Sequence, residues 1–383
     1  MSDNNVSVPS NISSYGANFN SWVNALDNKI KIQSGFTATY YCILPQGVKS
    51  DFGGNINPEI ADTETKAYAE CIFNLCPTVN IHVGAKHSAI ISSDYHDSNF
   101  APLVTFEYDA PLCKFSAHYS IYYQYLHQIG FSDVGLATNS WIAANESLPP
   151  QKAHSFSLNC LKDFAAGSYQ LQCETYYKKV LSQSEFFGNI FDLFSKNYRA
   201  EDYTGTGKGY NTGIDIIFKK NGGTFSGYAG YALGLARRKF EKYADEYLPS
   251  SNEMLHNAKV SLIVKIGQKW VLSSLFNYSY GRPVTPIKYV YMIGEKLIAE
   301  YGKHNSARMK DYHRLDFAAT YRFQSRRHAN VLHSINLSVM NVYGRRNTEL
   351  SYYKFNRDKN QINYREKSSL FRYLPSLSYS VSF

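Results

Sequence analysis

A chain of 383 residues with a formal charge of +9 has room for several ordinary domains or for one large β-barrel. It contains 33 Tyr and 23 Phe, but only 19% of its residues are charged and its mean hydropathy is −0.37. No apolar run approaches the ~20 residues that a spanning helix needs, so a helical membrane protein is excluded. A transmembrane barrel stays open, because half of each barrel strand faces water.

The amino-terminal stretch is polar. Residues 1–28 are rich in Asn and Ser and show no clear period, so we expect a polar lead. The stretch has neither the basic region nor the apolar region of a signal peptide. For an outer-membrane protein, this absence leaves two alternatives: the chain is a piece of a longer precursor, or the barrel interpretation is wrong.

From Lys29 onward, apolar and polar residues alternate with the period of two that is typical of β-strands. The first run is about fifteen residues long, whereas ordinary strands average ~5–6 and tilted membrane strands need roughly 9–11. The alternation recurs in residues 79–86, 115–125, 169–178, 259–266, 315–324 and 335–340. We count about fourteen strands from Lys29 to Phe383.

The connections alternate between short and long. The short turns cover residues 109–112, 165–167, 221–223 and 266–269, and Asn221-Gly222-Gly223 is a hairpin signal because Asn and Gly tolerate positive φ. The long loops cover about 127–151, 182–210, 241–257, 282–312 and 345–371. Loops of ~25 residues are uncommon in compact soluble domains. Short turns that alternate with long loops are typical of outer-membrane barrels.

The last strand has the clearest pattern. One face carries apolar side chains and the other carries only serines: Leu377, Tyr379, Val381 and Phe383 alternate with Ser376, Ser378, Ser380 and Ser382. This arrangement suits a barrel strand between lipid and a wet lumen. On this stretch alone, a half-buried strand of a soluble sandwich is an equal alternative.

Basic residues cluster at residues 237–239, 326–328 and 345–346. An anionic partner such as nucleic acid or lipid headgroups is one interpretation. Solvated loop ends are the favoured interpretation. No nucleic-acid motif accompanies the clusters, so we predict no nucleic-acid partner.

The six cysteines contain no C-x-x-C pair, which disfavours a zinc ribbon or a thioredoxin-like motif. Cys160 and Cys173 are predicted to be cross-strand neighbours. A disulfide is one interpretation. The favoured one is that both are small apolar residues on the lipid face.

No catalytic or metal-binding arrangement stands out, so we predict neither an enzyme nor a metal or other cofactor. The motif at Gly207 and Gly209 lacks the Lys-Ser/Thr and the following helix of a phosphate loop. His313, Arg314 and Asp316 could form an acid–base group. However, Arg314 and Asp316 share one strand face, which favours a paired charge ladder in a lumen.

Four aromatic residues in the predicted loops could stack on a ligand: Trp141, Tyr289, Tyr291 and Tyr301. Packing within the loops is the favoured interpretation. We therefore assign no substrate-binding residue from the sequence.

Several segments, in their order and spacing, carry a family resemblance: residues 122–127, 141 with 148–152, 174–179, 207–220, 227–240, 280–286, 313–316 and 336–343. Together they resemble the carboxyl-terminal part of a TonB-dependent outer-membrane receptor barrel of the type abundant in Bacteroidetes. Phe383 resembles the family's closing-strand signal for barrel assembly. The likeness covers most of residues 29–383, the predicted barrel domain.

The resemblance implies an all-β fold, an antiparallel up-and-down transmembrane β-barrel with short periplasmic turns and long extracellular loops. It implies an outer-membrane receptor that captures a scarce nutrient in its loops and takes it up through a plug that TonB rearranges. Its implied partners are outer-membrane lipid and lipopolysaccharide, the barrel-assembly machinery through Phe383, and an unidentified small-molecule nutrient.

The chain departs from the family pattern, since it lacks a plug and a TonB-contacting segment. Receptors of this family have about twenty-two strands, so about eight are missing and we expect a fragment or an incomplete barrel. Two alternatives remain open. One is a plugless, porin-like passive channel, and the other is a soluble β-rich binding protein.

Overall fold

The computed structural model describes residues 6–7, 10–44, 49–50, 59–129, 140–186, 200–243, 245–293, 296–325, 330–356, 361–368 and 372–383. Regular structure in these ranges consists of β-strands and one turn of 3-10 helix at Ala200–Tyr203. Within these ranges, no helix has the length and apolar character required to cross a membrane.

The strands follow one another along the chain with few interruptions. In chain order they are β1 (Val6–Ser7), β2 (Asn11–Ala25), β3 (Ile30–Leu44), β4 (Lys49–Ser50), β5 (Ile60–Cys76), β6 (Val79–Ile91), β7 (His96–Asp109), β8 (Lys114–Gln124), β9 (Leu126–Ile129), β10 (Ser140–Ala143), β11 (Gln151–Phe164), β12 (Tyr169–Phe186), β13 (Thr204–Lys220), β14 (Phe225–Lys239), β15 (Leu248–Pro249), β16 (His256–Ile266), β17 (Trp270–Ser279), β18 (Pro283–Val284), β19 (Ile287–Ile293), β20 (Lys296–Tyr301), β21 (Ala307–Arg308), β22 (Tyr312–Gln324), β23 (Leu332–Met340), β24 (Thr348–Asn356), β25 (Gln361–Ser368) and β26 (Leu374–Ser382).

One large sheet contains most of these strands. Its order is β2-β3-β5-β6-β7-β8-β11-β12-β13-β14-β16-β17-β22-β23-β26, and β15 pairs with β14. Neighbours in this order also follow one another along the chain, and β2 with β3 or β16 with β17 pair antiparallel. The prediction of an all-β, antiparallel up-and-down fold is confirmed.

The remaining strands form two-stranded pairs within the connections: β1 with β4, β9 with β10, β18 with β21, β19 with β20, and β24 with β25. Three of the predicted long loops therefore contain hairpins of their own. The predicted loop 182–210 is shorter than expected, because β12 continues to Phe186 and β13 begins at Thr204.

The short turns lie at the residues that the sequence pattern predicted. Ala165, Ala166 and Gly167 have φ of 47°, 52° and 82°, and Gly222 and Gly223 have φ of 69° and 78°. Positive φ costs glycine little, so the Gly-Gly pair suits its turn. The two alanines adopt the same region although it is unfavourable for a residue with a Cβ.

The sheet begins earlier in the chain than the sequence indicated. From β3 to β26 the sheet order contains fourteen strands, as predicted, but β2 lies within residues 1–28, which were expected to be a polar lead. Ser21 pairs with Ser34 on the face where Phe19 pairs with Phe36. Such interruptions hide the alternation of β2 in the sequence. The start of the sheet therefore does not coincide with the predicted boundary at residue 29.

The chain divides into two compact units. The first contains Met1–Leu158, Tyr176–Asn211 and Arg237–Tyr247, and the second contains Asn159–Thr175, Thr212–Ala236 and Leu248–Phe383. In the first unit, buried apolar residues cluster where β3, β6 and the connection after β8 meet: Ile43, Ile90, Tyr125, Ala143 and Ala144.

Candidate functional site

The two faces of the sheet differ in chemistry. On one, here called the apolar face, Phe36 of β3 pairs with Ala67 of β5, and its ring is 48% exposed. In the second unit, Leu262 lies in the middle of β16 and is 45% exposed on the same kind of face. Large exposed apolar side chains that recur on one sheet face indicate contact with lipid or with another protein.

The terminal strand β26 shows the face separation that the sequence predicted. Leu377 pairs with Leu337 and Tyr379 with Ile335, whereas Ser378 pairs with Asn336. The apolar and serine faces of β26 therefore continue those of β23. Phe383 follows the strand and is almost fully exposed.

The other face, here called the polar face, carries charged side chains that pair across strands in the first unit. His82 of β6 lies between two carboxylates, with Nδ1 3.1 Å from Glu70 Oε1 and Nε2 3.6 Å from Glu107 Oε2. Lys66 Nζ lies 2.6 Å from Glu64 Oε1, and Tyr41 donates a hydrogen bond to Glu64 Oε2 at 2.9 Å. Such paired charges tolerate a wet surface and would be costly against lipid.

The polar face of the second unit carries the charge ladder predicted at β22. Arg314 donates to Asp316 Oδ2 through Nε at 3.1 Å, and its Nη2 lies 2.9 Å from the same oxygen. Asp316 Oδ1 also accepts the backbone N–H of Asn341 at 2.8 Å. His313 belongs to the opposite face, where its Nδ1 contacts Tyr343 Oη at 2.7 Å. The three residues do not assemble an acid–base group. Arg314 and Asp316 pair on one strand face as predicted, and the lumen stays a prediction.

The glycine motif in β13 serves packing. A Cβ on Gly207 would collide with the ring of Phe240, and a Cβ on Gly209 would collide with the carbonyl of Arg237. Both glycines lie within a strand, not before a helix, so their surroundings do not form a phosphate loop.

Two of the three basic clusters lie within the described residues, and both contain locally bonded side chains. Arg238 donates to Asn211 Oδ1 at 2.8 Å, and Lys239 forms an ion pair with Asp245. Arg345 donates to the carbonyl of Asp311 at 2.9 Å. The third cluster, residues 326–328, lies outside the described residues.

All six cysteines are free thiols, so Cys160 and Cys173 form no disulfide. Among the described residues, no group of three His, Cys, Asp or Glu side chains is placed to hold a metal ion.

The loop aromatics differ in their surroundings. Trp141 is half-buried and packs against the apolar cluster of the first unit. Tyr289 and Tyr301, on the β19–β20 hairpin of the second unit, are 65% and 54% exposed. The side chain of Tyr291 lies outside those described. Loop packing therefore accounts for Trp141, while Tyr289 and Tyr301 have surface available for a ligand.

Two buried polar groups anchor the connections, and the sequence pattern had not singled out either. In the first unit, His127 of β9 is fully buried, and its Nδ1 lies 3.1 Å from Ser184 Oγ and 3.2 Å from Gln151 Nε2. Burial lowers the pKa of His127 to about 4, so its ring is neutral at pH 7.

In the second unit, Glu253 is buried and accepts the N–H of Ala236 at 3.0 Å. It also forms an ion pair with Arg308, which donates to the carbonyl of Gly281 at 3.0 Å. This carboxylate thereby joins strand β14, the connection that contains Glu253, and the connection between β17 and β22. The side chains were visible in the sequence, but their partners are 17 to 55 residues away along the chain.

Solved structures with a similar fold include outer-membrane receptors. The ferric yersiniabactin uptake receptor FyuA from Yersinia pestis is 12% identical with a TM-score of 0.66, and the match covers 99% of this chain and 55% of that one. The ferric preacinetobactin receptor BauA from Acinetobacter baumannii is 12% identical with a TM-score of 0.63, covering 98% and 55%. The ferripyoverdine receptor of the outer membrane of Pseudomonas aeruginosa is 13% identical with a TM-score of 0.60, covering 98% and 48%.

No protein-family model and no curated protein matches the chain by sequence. The chain therefore shares the fold of outer-membrane receptors and spans about half the length of those it matches. The expected resemblance to the barrel of TonB-dependent receptors is confirmed at the level of the fold. The Bacteroidetes type stays a prediction.

Proposed function

We propose that this chain forms the wall and the long loops of an outer-membrane receptor that takes up a small-molecule nutrient. The observation that carries the proposal is the match of 97% or more of the chain to uptake receptors such as FyuA and the iron transporter FrpB of Neisseria meningitidis. The two chemically distinct sheet faces support it, because a transmembrane barrel needs one face for lipid and one for water.

In this proposal the apolar face contacts outer-membrane lipid and lipopolysaccharide. The terminal strand and Phe383 are recognised by the barrel-assembly machinery. The loops, with Tyr289 and Tyr301 exposed on one hairpin, contact the nutrient. The chain itself performs no catalysis, and coupling to TonB is supplied by the remainder of the receptor.

The first experiment tests location and ligand capture together. The chain is exported in a Gram-negative host, and we expect it in the outer-membrane fraction as a heat-modifiable folded band. Binding of three radioiron complexes, with yersiniabactin, preacinetobactin and pyoverdine, to this fraction is then measured, together with their passage into proteoliposomes that contain the chain. These probes are chosen because receptors of the same fold are described as binding them.

The possible outcomes distinguish the receptor, the passive channel and the soluble binding protein. Saturable binding of one complex by the chain supports the receptor. Passage of all three complexes without saturable binding supports the passive channel instead. Recovery of folded chain in the soluble fraction without detergent contradicts both and supports the soluble binding protein.

A further inference from the structure

The connection after β8 in the first unit turns onto the polar face of the sheet. Tyr125 follows β8 directly and is 1% exposed. Its hydroxyl donates to the carbonyl of Ser88 on β6 at 2.7 Å and accepts from Asn99 Nδ2 on β7 at 3.1 Å. The ring is therefore held across two neighbouring strands.

The second half of the connection, residues 140–144, contacts the strands at the beginning of the sheet. Strand β10 pairs with β9 and contacts β2 and β3. Ser10, beside β2, donates to Ser140 Oγ at 3.1 Å. Ala143 and Ala144 pack with Ile43 of β3 and Ile90 of β6 in one buried cluster.

The strand register assigns this cluster to the polar face. Ile90 pairs with Glu64, and Ile43 lies two residues from Tyr41, the pairing partner of Asp62. Two isoleucines on a face of charged residues would lie against water if the connection stood away from the sheet. Both are fully buried, because residues of the connection cover them.

We propose that residues 125–129 and 140–144, here called the strap, form a built-in constriction across the polar face. The strap reaches from β8 to β2, which are the first and last of six neighbouring strands. Six strands are separated by five spacings of ~4.8 Å, so the strap spans about 24 Å. It limits the size of solute that passes along the polar face. The inference rests on the proposed function, because it requires passage along this face.

Tyr125→Phe tests the strap, and Tyr108→Phe is the matched control because Tyr108 lies partly exposed on the apolar face of the same unit. Amide hydrogen exchange of the 383-residue chain in detergent is measured on peptides that cover the strap. The permeability of proteoliposomes to sugars of increasing size is measured on the same preparations. Neither measurement needs TonB or an identified nutrient.

We expect Tyr125→Phe to raise exchange in the strap about tenfold and to admit sugars that the wild-type and Tyr108→Phe proteins exclude. Unchanged exchange in Tyr125→Phe would overturn the docked strap. Raised exchange with an unchanged size limit, or with no permeation at all, would overturn the constriction. Absence of saturable binding of the three iron complexes would refute the receptor function alone, since the strap measurements use only sugars and hydrogen exchange.

Discussion

Placing a charged residue on each face of β16 in turn gives the most direct test of which sheet face contacts lipid. Leu262 and Ser261 are adjacent at the middle of this strand, and its regular register with β17 places them on opposite faces. Arginine on a lipid-facing position near the bilayer midplane costs ~2–4 kcal/mol, whereas a lumen-facing position tolerates it. We therefore expect Leu262→Arg to lower the folded-to-unfolded ratio by about 30- to 1000-fold and Ser261→Arg to change it little.

The measurement is urea unfolding of the chain in phosphatidylcholine vesicles, followed by the heat-modifiable band on gels. Wild type, Leu262→Arg, Ser261→Arg and Leu262→Met are compared, the last as a control for loss of the branched side chain. Equal destabilisation by the two arginines would refute the assignment of faces. A larger effect of Ser261→Arg would invert it, and a stable Leu262→Arg protein without lipid would contradict the membrane proposal.

Three further predictions concern single side chains. The pKa of His127 is lowered to about 4 in the folded chain, so the unfolded chain binds a proton first as pH falls. The free energy of unfolding near β9, measured by hydrogen exchange, should therefore decrease by about 3 kcal/mol from pH 6.5 to pH 4. His127→Gln should abolish this pH dependence. Arg308→Met removes the cationic partner of the buried Glu253 at a cost of ~3–5 kcal/mol and should expose the connections around it to protease. The double variant with Glu253→Met should recover protection, and equal cleavage of both variants would contradict the ion-pair argument. Phe383→Ala in an exported chain should reduce the heat-modifiable band in outer membranes, and an undiminished band would count against the closing-strand role.

The buried groups at the connections explain why loops of this length hold a defined structure. Glu253 and the Nδ1 atom of His127 each replace lost hydration with fixed partners, and such partners determine one arrangement among many. In the proposed receptor, this fixes the positions from which loop side chains meet a ligand.

The sequence by itself determined the two faces of those strands whose alternation is regular. Alternation is local, since side chains two residues apart share a face, and it correctly separated Leu377 from Ser378 and Arg314 from His313. Turn chemistry was equally local, as at Gly222 and Gly223. Strand β2 was not predicted, because serines interrupt its apolar face.

Only the tertiary structure decided which side chains meet across the connections. Tyr125 and Ser88 are 37 residues apart, and Arg308 and Glu253 are 55 apart, with no periodic signal that joins them. An isoleucine at position 43 or 90 looks like any strand residue until the residues that cover it are known. Periodicity follows from the geometry of one strand, whereas docking of a connection depends on the summed contacts of segments distant in the chain.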